Sequence, residues 1–143
     1  MSEPTNLIIV QRAFKAFADG DFAALEKLLT DDVEWTYHPT HSGIPWAQHS
    51  WHGPDRVLQS LKMITDLVEF FEFQPDEFIV GNDSVAVLGH ERCRVKASGR
   101  IVEAKWVQIL TLRNEKISRY REYSDTAAWD NGYSGGTAIS DRQ

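Results

Sequence analysis

The sequence predicts an α+β fold, in which three helices from the N-terminal half pack on the concave face of a cone-shaped, curved antiparallel sheet. Two sequence patterns, one before residue 72 and one after it, indicate this. Apolar residues recur at helical spacing in three segments before residue 72, whereas apolar and polar residues alternate in four segments after it. Turn-forming residues separate the segments, and helices grouped ahead of a meander of strands are typical of α+β domains.

Two helices are predicted at the start of the chain. The first covers Thr5–Ala18, behind Pro4, because apolar residues repeat there at helical spacing: Ile9, Val10, Ala13, Phe14 and Phe17. The segment 19–21 interrupts this pattern. Asp21 is expected to cap a second, short helix with an apolar face made of Phe22, Leu25, Leu28 and Leu29.

A strand and a third helix follow. Val33, Trp35 and Tyr37 alternate with polar residues, which predicts a strand that ends at His38. The segment 39–53 is predicted to be a loop. Pro54 then opens a helix whose apolar stripe is expected to continue to Phe71.

The second half of the chain is predicted to be a meander of four strands, at about 73–80, 84–97, 100–112 and 117–124. Asp125 precedes a short apolar turn and is expected to cap it. The Gly- and Ser-rich segment from Asn131 is expected to be frayed. We therefore predict a single domain over 1–143, with an ordered core at about 5–130 and a flexible tail at 131–143.

Composition narrows the possible partners. The net charge is −6 and no run of Lys or Arg is present, so a nucleic-acid partner is not expected. No apolar run is long enough to span a membrane, and the N-terminus does not resemble a signal peptide. Cys93 is the only cysteine, so no intramolecular disulfide can form, and we expect it to be a small buried residue. These features favour a cytoplasmic protein.

Several stretches resemble the SnoaL-like branch of the nuclear transport factor 2-like superfamily, which includes ketosteroid isomerases and polyketide cyclases. They are VQRAFKAFADGDFAALEKLLTDDVEW, PW, GPDRV, GNDSVAVLG and KISRYREYSDTAAW, and together they run from about Val10 to Trp129. The resemblance implies a cone-shaped pocket for a small-molecule ligand and a homodimer formed through the sheet. Isomerases, cyclases, dehydratases, epoxide hydrolases and non-catalytic binding domains all belong to this superfamily, so activity has to be argued from the site.

The resemblance also gives residue-level expectations. The isomerase positions hold Ala13, His38 and Gln108 here, so the isomerase residues are absent. The carboxylate of the polyketide cyclases falls near Glu122, whereas their histidine falls near Gln108. We therefore expect a cofactor-independent isomerase, cyclase or dehydratase for a small apolar carbonyl or hydroxylated ring compound. In it Glu122 moves a proton, His38 assists, and Gln108 or Tyr37 holds the developing oxyanion. The alternative is a non-catalytic ligand-binding or dimerisation domain.

The position of Glu122 depends on strand register. A three-residue loop at 114–116 would pair Arg113 with Ile117, and Gln108 would then face Glu122. A two-residue loop would instead place Glu122 beside Val107. With the first register, the pocket face carries Glu122 and the expected substrate-binding residues of these strands, namely Trp106, Gln108 and Tyr120. The opposite face carries Val107, Ile109 and Tyr123 and is expected to form the dimer.

The same counting can be applied to the preceding turn. It pairs Gly89 with Gln108 and Glu91 with Trp106. Gly89 would leave space for a ligand near the sheet, and Glu91 would be a second carboxylate, although a glutamate on a strand is more often solvated.

The stretch 34–53 holds four of the five histidines and admits three interpretations: a metal site, a surface loop, or a lid. The pairs His38/His41 and His49/His52 have no cysteine nearby and flank a Gly/Pro loop, so we expect no metal. We favour a lid at 39–52, with Trp46 turned inward over the pocket. Trp35, Tyr37 and Trp46 complete the expected substrate-binding residues.

Overall fold

The structure is a computed structural model, and it describes residues 3–38 and 43–133. Four helices are present: α1 (Glu3–Ala18), α2 (Phe22–Glu26), α3 (Pro54–Leu67) and α4 (Thr126–Tyr133). A 3-10 turn covers Pro45–Ala47. Six strands form one sheet: β1 (Leu29–His38), β2 (Trp51–His52), β3 (Val68–Val80), β4 (Ser84–Val95), β5 (Ile101–Arg113) and β6 (Lys116–Ser124).

The curved, unclosed sheet has the strand order β2-β1-β6-β5-β4-β3. All neighbouring strands are antiparallel except β1 and β6, which run parallel because the chain passes through α3 and β3–β5 before it returns beside β1. The predicted α+β class and the grouping of helices in the N-terminal half are confirmed. The helix α4 and the short strand β2 were not predicted as such.

Both predicted acidic caps are present. The Ala24 amide donates to Oδ1 of Asp21 at 3.0 Å, and the Ala128 amide donates to Oδ1 of Asp125 at 3.2 Å. Each carboxylate satisfies a backbone donor that has no partner within its helix.

The third helix ends earlier than the sequence predicted. α3 stops at Leu67, and Val68 already pairs with Val95 as the first residue of β3. Phe71 does not belong to the buried stripe of a helix. It lies at a bulge in β3, is 47% exposed, and its ring lies 5.2 Å from the guanidinium carbon of Arg92.

The C-terminal helix α4 continues to Tyr133, three residues past the expected end of the ordered core. Its close packing explains this, since a Cβ atom added at Gly132 would lie 2.5 Å from Cγ2 of Val102. The Ser98 hydroxyl also donates to the Gly132 carbonyl at 2.6 Å. The expected flexible tail at 134–143 lies outside the described residues.

The predicted loop between β5 and β6 is wrong, yet the register derived from it is right. Arg113 pairs with Lys116 across a two-residue turn, in which Asn114 and Glu115 both have positive φ. A bulge at Ser118 then adds the residue that the short loop lacks.

As a result, the pairs predicted beyond the bulge are present. Gln108 lies opposite Glu122, and Leu110 lies opposite Tyr120.

The register between β4 and β5 differs by two residues from the one predicted. Gly89 pairs with Trp106 and Glu91 pairs with Ala104. A shift of two preserves the face, so both residues still project toward the helices. The space at Gly89 does not serve a ligand, because the Trp106 indole fills it: a Cβ at Gly89 would lie 2.3 Å from Cζ2 of that ring.

The helices cover one face of the sheet, and the other face, here called the outward face, is not covered by them. On the outward face Ile79, Ile101 and Tyr123 are 52%, 46% and 43% exposed. None of the helices within the described ranges has the length and apolar character needed to cross a membrane.

Candidate functional site

A cavity of about 90 Å³ lies between the inner face of the sheet, the helices and the segment 43–47. Most of its wall is apolar or aromatic. Carboxyl groups enter it from two strands, Glu91 of β4 and Glu122 of β6. The side chains that matter for the argument below are Trp35, Tyr37, Trp46, Gln108, Tyr120 and Trp129.

Glu122 projects inward because β6 alternates and Tyr120 and Glu122 share the inner face. Its Oε1 atom accepts hydrogen bonds from the Tyr120 hydroxyl at 2.6 Å and from Nε2 of Gln108 at 3.0 Å. Burial raises the pKa of the Glu122 carboxyl, and these two donors partly oppose the rise because they stabilise the charged form.

Glu91 is the second carboxyl group, and only 5% of its surface is exposed. Its Oε2 atom accepts one hydrogen bond, from Nε1 of Trp129 at 3.1 Å. Burial, followed by the negative charge of Glu122, raises the pKa of Glu91 to about 8, and the bond from Trp129 opposes this. At neutral pH the cavity therefore holds a carboxylic acid at Glu91 beside a group that ionises more readily.

Three aromatic residues form the wall next to Glu122. The rings of Trp35 and Tyr120 are stacked with centroids 3.8 Å apart, and Nε1 of Trp35 donates to the Tyr37 hydroxyl at 2.9 Å. The Tyr37 hydroxyl lies 3.2 Å from Oγ of Ser60, which itself donates to the Val57 carbonyl. Since Ser60 has used its only proton, Tyr37 donates to Ser60. The hydroxyl proton of Tyr37 is therefore used in a hydrogen bond to Ser60 on α3, and Tyr37 cannot donate it to a developing oxyanion.

The segment 43–47 closes one side of the cavity. Ile44 and Trp46 are buried and line it, and the Trp46 ring meets that of Trp129 edge to face at a centroid distance of 5.2 Å. Nε1 of Trp51 holds the segment by donating to the Trp46 carbonyl at 2.9 Å. Residues 39–42 of the expected lid lie outside the described residues.

His38 lines the same cavity as Glu122, but only at its edge. Its imidazole ring stacks on Tyr123, with ring centroids 4.8 Å apart. Tyr123 projects from the outward face of the sheet. Because side chains alternate along a strand and Tyr37 points inward, the His38 ring is directed toward the outward face, and a catalytic role for His38 stays a prediction.

Trp106 also lies elsewhere than predicted. It is 2% exposed and stacks against the rings of Phe14 and Phe73, at centroid distances of 5.9 Å and 4.9 Å. Its indole occupies the space above Gly89 and does not line the cavity. It packs against lining residues from the side away from the cavity. Trp35, Tyr37, Trp46, Gln108, Tyr120 and Glu122 do line the cavity.

The sequence treated Glu91 as a lesser candidate and did not consider Trp129. A signal for Glu91 was present, since Val85, Val87, Cys93 and Val95 share its side of β4 and are apolar. A charged residue at such a position marks a buried polar site. No comparable signal identified Trp129, because its contact with Glu91 depends on how α4 docks.

No metal site emerges from the described residues: they contain no group of three His, Cys, Asp or Glu side chains placed to hold an ion. His49 bonds through Nδ1 to the Ser50 carbonyl at 2.9 Å, and His52 is exposed. His41 lies outside the described residues.

The chain is similar to proteins of a known family. A family model described as the SnoaL-like domain matches residues 10–120. The chain belongs to the SnoaL-like family. A nuclear transport factor 2-like protein from Burkholderia xenovorans has a similar structure, with a TM-score of 0.85 and 31% identity over 94% of this chain and 99% of that one.

Two further proteins are similar to this chain. An uncharacterised protein of Mycobacterium tuberculosis is 26% identical, over 90% of this chain and 95% of that protein. A protein from Jannaschia sp. CCS1 assigned as a SnoaL-like polyketide cyclase has a TM-score of 0.78 at 17% identity, covering 92% of this chain and 93% of that one. The second likeness shows a common fold only.

Proposed function

We propose that this SnoaL-like protein is a cofactor-independent acid/base enzyme for a small, mostly apolar ring compound that carries a carbonyl or hydroxyl group. Isomerisation, aldol cyclisation and dehydration each require that one proton is removed and one is delivered. The observation that carries the proposal is the pair of carboxyl groups, Glu91 and Glu122, whose hydrogen-bond environments differ on the wall of an apolar cavity.

Glu122 is the proposed base. Tyr120 and Gln108 both donate to it, whereas only Trp129 donates to Glu91, so Glu122 ionises first. The cavity removes water from the carboxylate and raises its proton affinity, which suits removal of a proton next to a carbonyl group.

Glu91 is the proposed acid, in the role that was predicted for His38 from the sequence. A carboxyl group with a pKa of about 8 keeps its proton at neutral pH and can donate it, or a hydrogen bond, to the oxygen of the substrate. The amide nitrogen of Gln108 uses one N–H on Glu122 and has a second that can stabilise the developing oxyanion.

The test is proton exchange next to a carbonyl group, which needs no knowledge of the natural substrate. A panel of cyclic ketones with one and two rings is incubated with the protein in D₂O, and loss of the α-proton signal is followed by NMR. Glu122→Gln should abolish the enzyme-dependent exchange, and Glu91→Gln should reduce it by about 10²–10⁴-fold.

Glu103→Gln is the matched control, because Glu103 is an exposed glutamate on β5 that pairs with Arg92 on the outward side. It should exchange at the parental rate. If no ketone exchanges, or if Glu122→Gln exchanges as fast as the parent, the acid/base proposal is wrong. A protein that still binds these ketones would then be a ligand-binding domain.

A further inference from the structure

The described residues that line the cavity include two acidic groups and no Lys or Arg, and their one imidazole, His38, lies at its edge. The surfaces around Glu91 and Glu122 are largely aromatic and include Trp35, Trp46 and Trp129. Carboxylates and aromatic faces are the two kinds of protein group that attract organic cations. The negative charge of the glutamate pair would repel an anionic ligand and attract a cation.

Each carboxyl group also has an oxygen available. In the part of the chain that the structure describes, Trp129 donates to Oε2 of Glu91, and Tyr120 and Gln108 donate to Oε1 of Glu122. The hydrogen bonds found there leave Oε1 of Glu91 and Oε2 of Glu122 to accept from a ligand. A primary ammonium group has three N–H donors and no acceptor, so it matches two such oxygens.

We propose that the cavity binds a small organic ammonium ion, which replaces the proton held by the Glu91–Glu122 pair. The ligand carries one apolar group, of about one ring, against the aromatic wall. One proton leaves to solvent for each ammonium ion that binds, so the net charge inside the cavity does not change.

This exchange avoids the main penalty for burying a charge. An unpaired ion in an apolar site loses several kcal/mol of hydration free energy, as an order of magnitude, and a partner of opposite charge offsets that loss. With the proton in place, the pair carries a single negative charge when Glu122 is ionised. With the ammonium ion in place, two carboxylates and one cation give the same total.

The other titratable groups around the pair stay uncharged near neutral pH. Burial raises the pKa of Cys93 on β4 and of Tyr133 on α4 to about 12. It also raises the pKa of Tyr37 on β1 and of Tyr120 on β6. His38 touches the edge of the cavity, but its ring lies on the outward face against Tyr123. The released proton therefore comes from the glutamate pair.

This inference goes beyond the proposed function, because that function concerns an uncharged substrate and its turnover. Binding of an ammonium ion requires only the pair and the cavity. The two can be tested separately, one by exchange of ketone protons and the other by binding of an amine that does not react.

The experiment is isothermal titration calorimetry with benzylammonium as the probe and with benzyl alcohol and benzoate as its uncharged and anionic analogues. Each titration is run at pH 7 in two buffers of different ionisation enthalpy, which reports the number of protons released. We expect benzylammonium to bind at least tenfold more tightly than benzyl alcohol, to release close to one proton, and to weaken up to tenfold per pH unit below pH 7. Benzoate should not bind.

Two variants locate the proton. Glu91→Gln leaves Glu122 ionised before the ligand arrives, so benzylammonium should bind without proton release. Glu103→Gln on the outward face should release as many protons as the parent. If benzyl alcohol binds as tightly as benzylammonium, if no proton is released by the parent, or if benzylammonium does not bind at 10-millimolar concentration, the inference is wrong. Ketone exchange in the absence of ammonium binding would leave the proposed enzyme and overturn only this inference.

Discussion

Replacing Glu91 with glutamine should change how stability depends on pH. The pKa of Glu91 is about 8 in the folded protein against 4.5 as its ordinary value, so the folded state keeps a proton that the unfolded chain has lost between these values. The free energy of unfolding must therefore fall as pH rises through this window. A glutamine keeps the shape of the side chain and an oxygen that can accept from Trp129, but it does not titrate.

The size of the effect follows from the two pKa values. One pKa unit corresponds to about 1.4 kcal/mol, and the single-site linkage relation gives a loss of roughly 3–4 kcal/mol between pH 5 and pH 8. Glu91→Gln should remove most of this loss. The variant should therefore be close to the parent in stability at pH 5 and more stable by about 3 kcal/mol at pH 8.

Urea unfolding followed by tryptophan fluorescence at pH 5, 6, 7 and 8 measures this difference directly, at one fixed protein concentration. His90 has a raised pKa because Asp76 and Glu72 bond to it, and its own pH dependence is common to the parent and the variant. The difference in unfolding free energy between the parent and the variant therefore reports the pH dependence that comes from the Glu91–Glu122 pair. Curves for Glu91→Gln and the parent that stay parallel from pH 5 to pH 8 would show that Glu91 is not protonated in the folded state.

Three other changes test the fold and the site. Gly89→Ala should lower the free energy of unfolding by about 1–3 kcal/mol, because its Cβ would overlap the Trp106 ring. Gly81→Ala should have little effect, and chemical denaturation of both variants tests the difference. Trp129→Phe should raise the pKa of Glu91 by removing its hydrogen bond, which infrared titration of the carboxyl stretch would detect, and an unchanged titration would contradict this. We also propose a homodimer through the outward face of the sheet. Light scattering should give twice the 16.3 kDa mass for the parent and the monomer mass for Val107→Lys, and a monomeric parent would exclude it.

The sequence predicted the site best where alternation alone decides it. Inward placement of Gln108, Tyr120 and Glu122 depends only on the parity of β5 and β6. The predicted parity is correct although the predicted loop length is wrong, because the bulge at Ser118 compensates for the shorter turn. Asn114 and Glu115 show why the turn was missed, since neither is glycine and both adopt a positive φ.

Where tertiary contacts decide, the sequence was less informative. The helical stripe of α3 continues in sequence past Leu67, but pairing of Val68 with Val95 converts its end into β3. His38 was expected to reach the cavity because it lies at the end of β1. It does line the cavity edge, but the sequence did not show that its ring stacks on Tyr123. The space at Gly89 could not be assigned to a ligand or to Trp106 until the register of β4 against β5 was known.

The family match covers only part of the candidate site. The SnoaL-like match ends at residue 120, whereas Glu122 and Trp129 lie beyond it. The Trp129 hydrogen bond lowers the pKa of Glu91 and so opposes the larger effect of burial. Trp129 lies on α4, which packs tightly on Val102. A SnoaL-like chain with the same strands but a different C-terminal helix would keep the cavity and lose this hydrogen bond. The pKa of Glu91 would then rise further, so relatives that share only the matched domain give no ground for predicting this contribution to the acid/base balance of the pair.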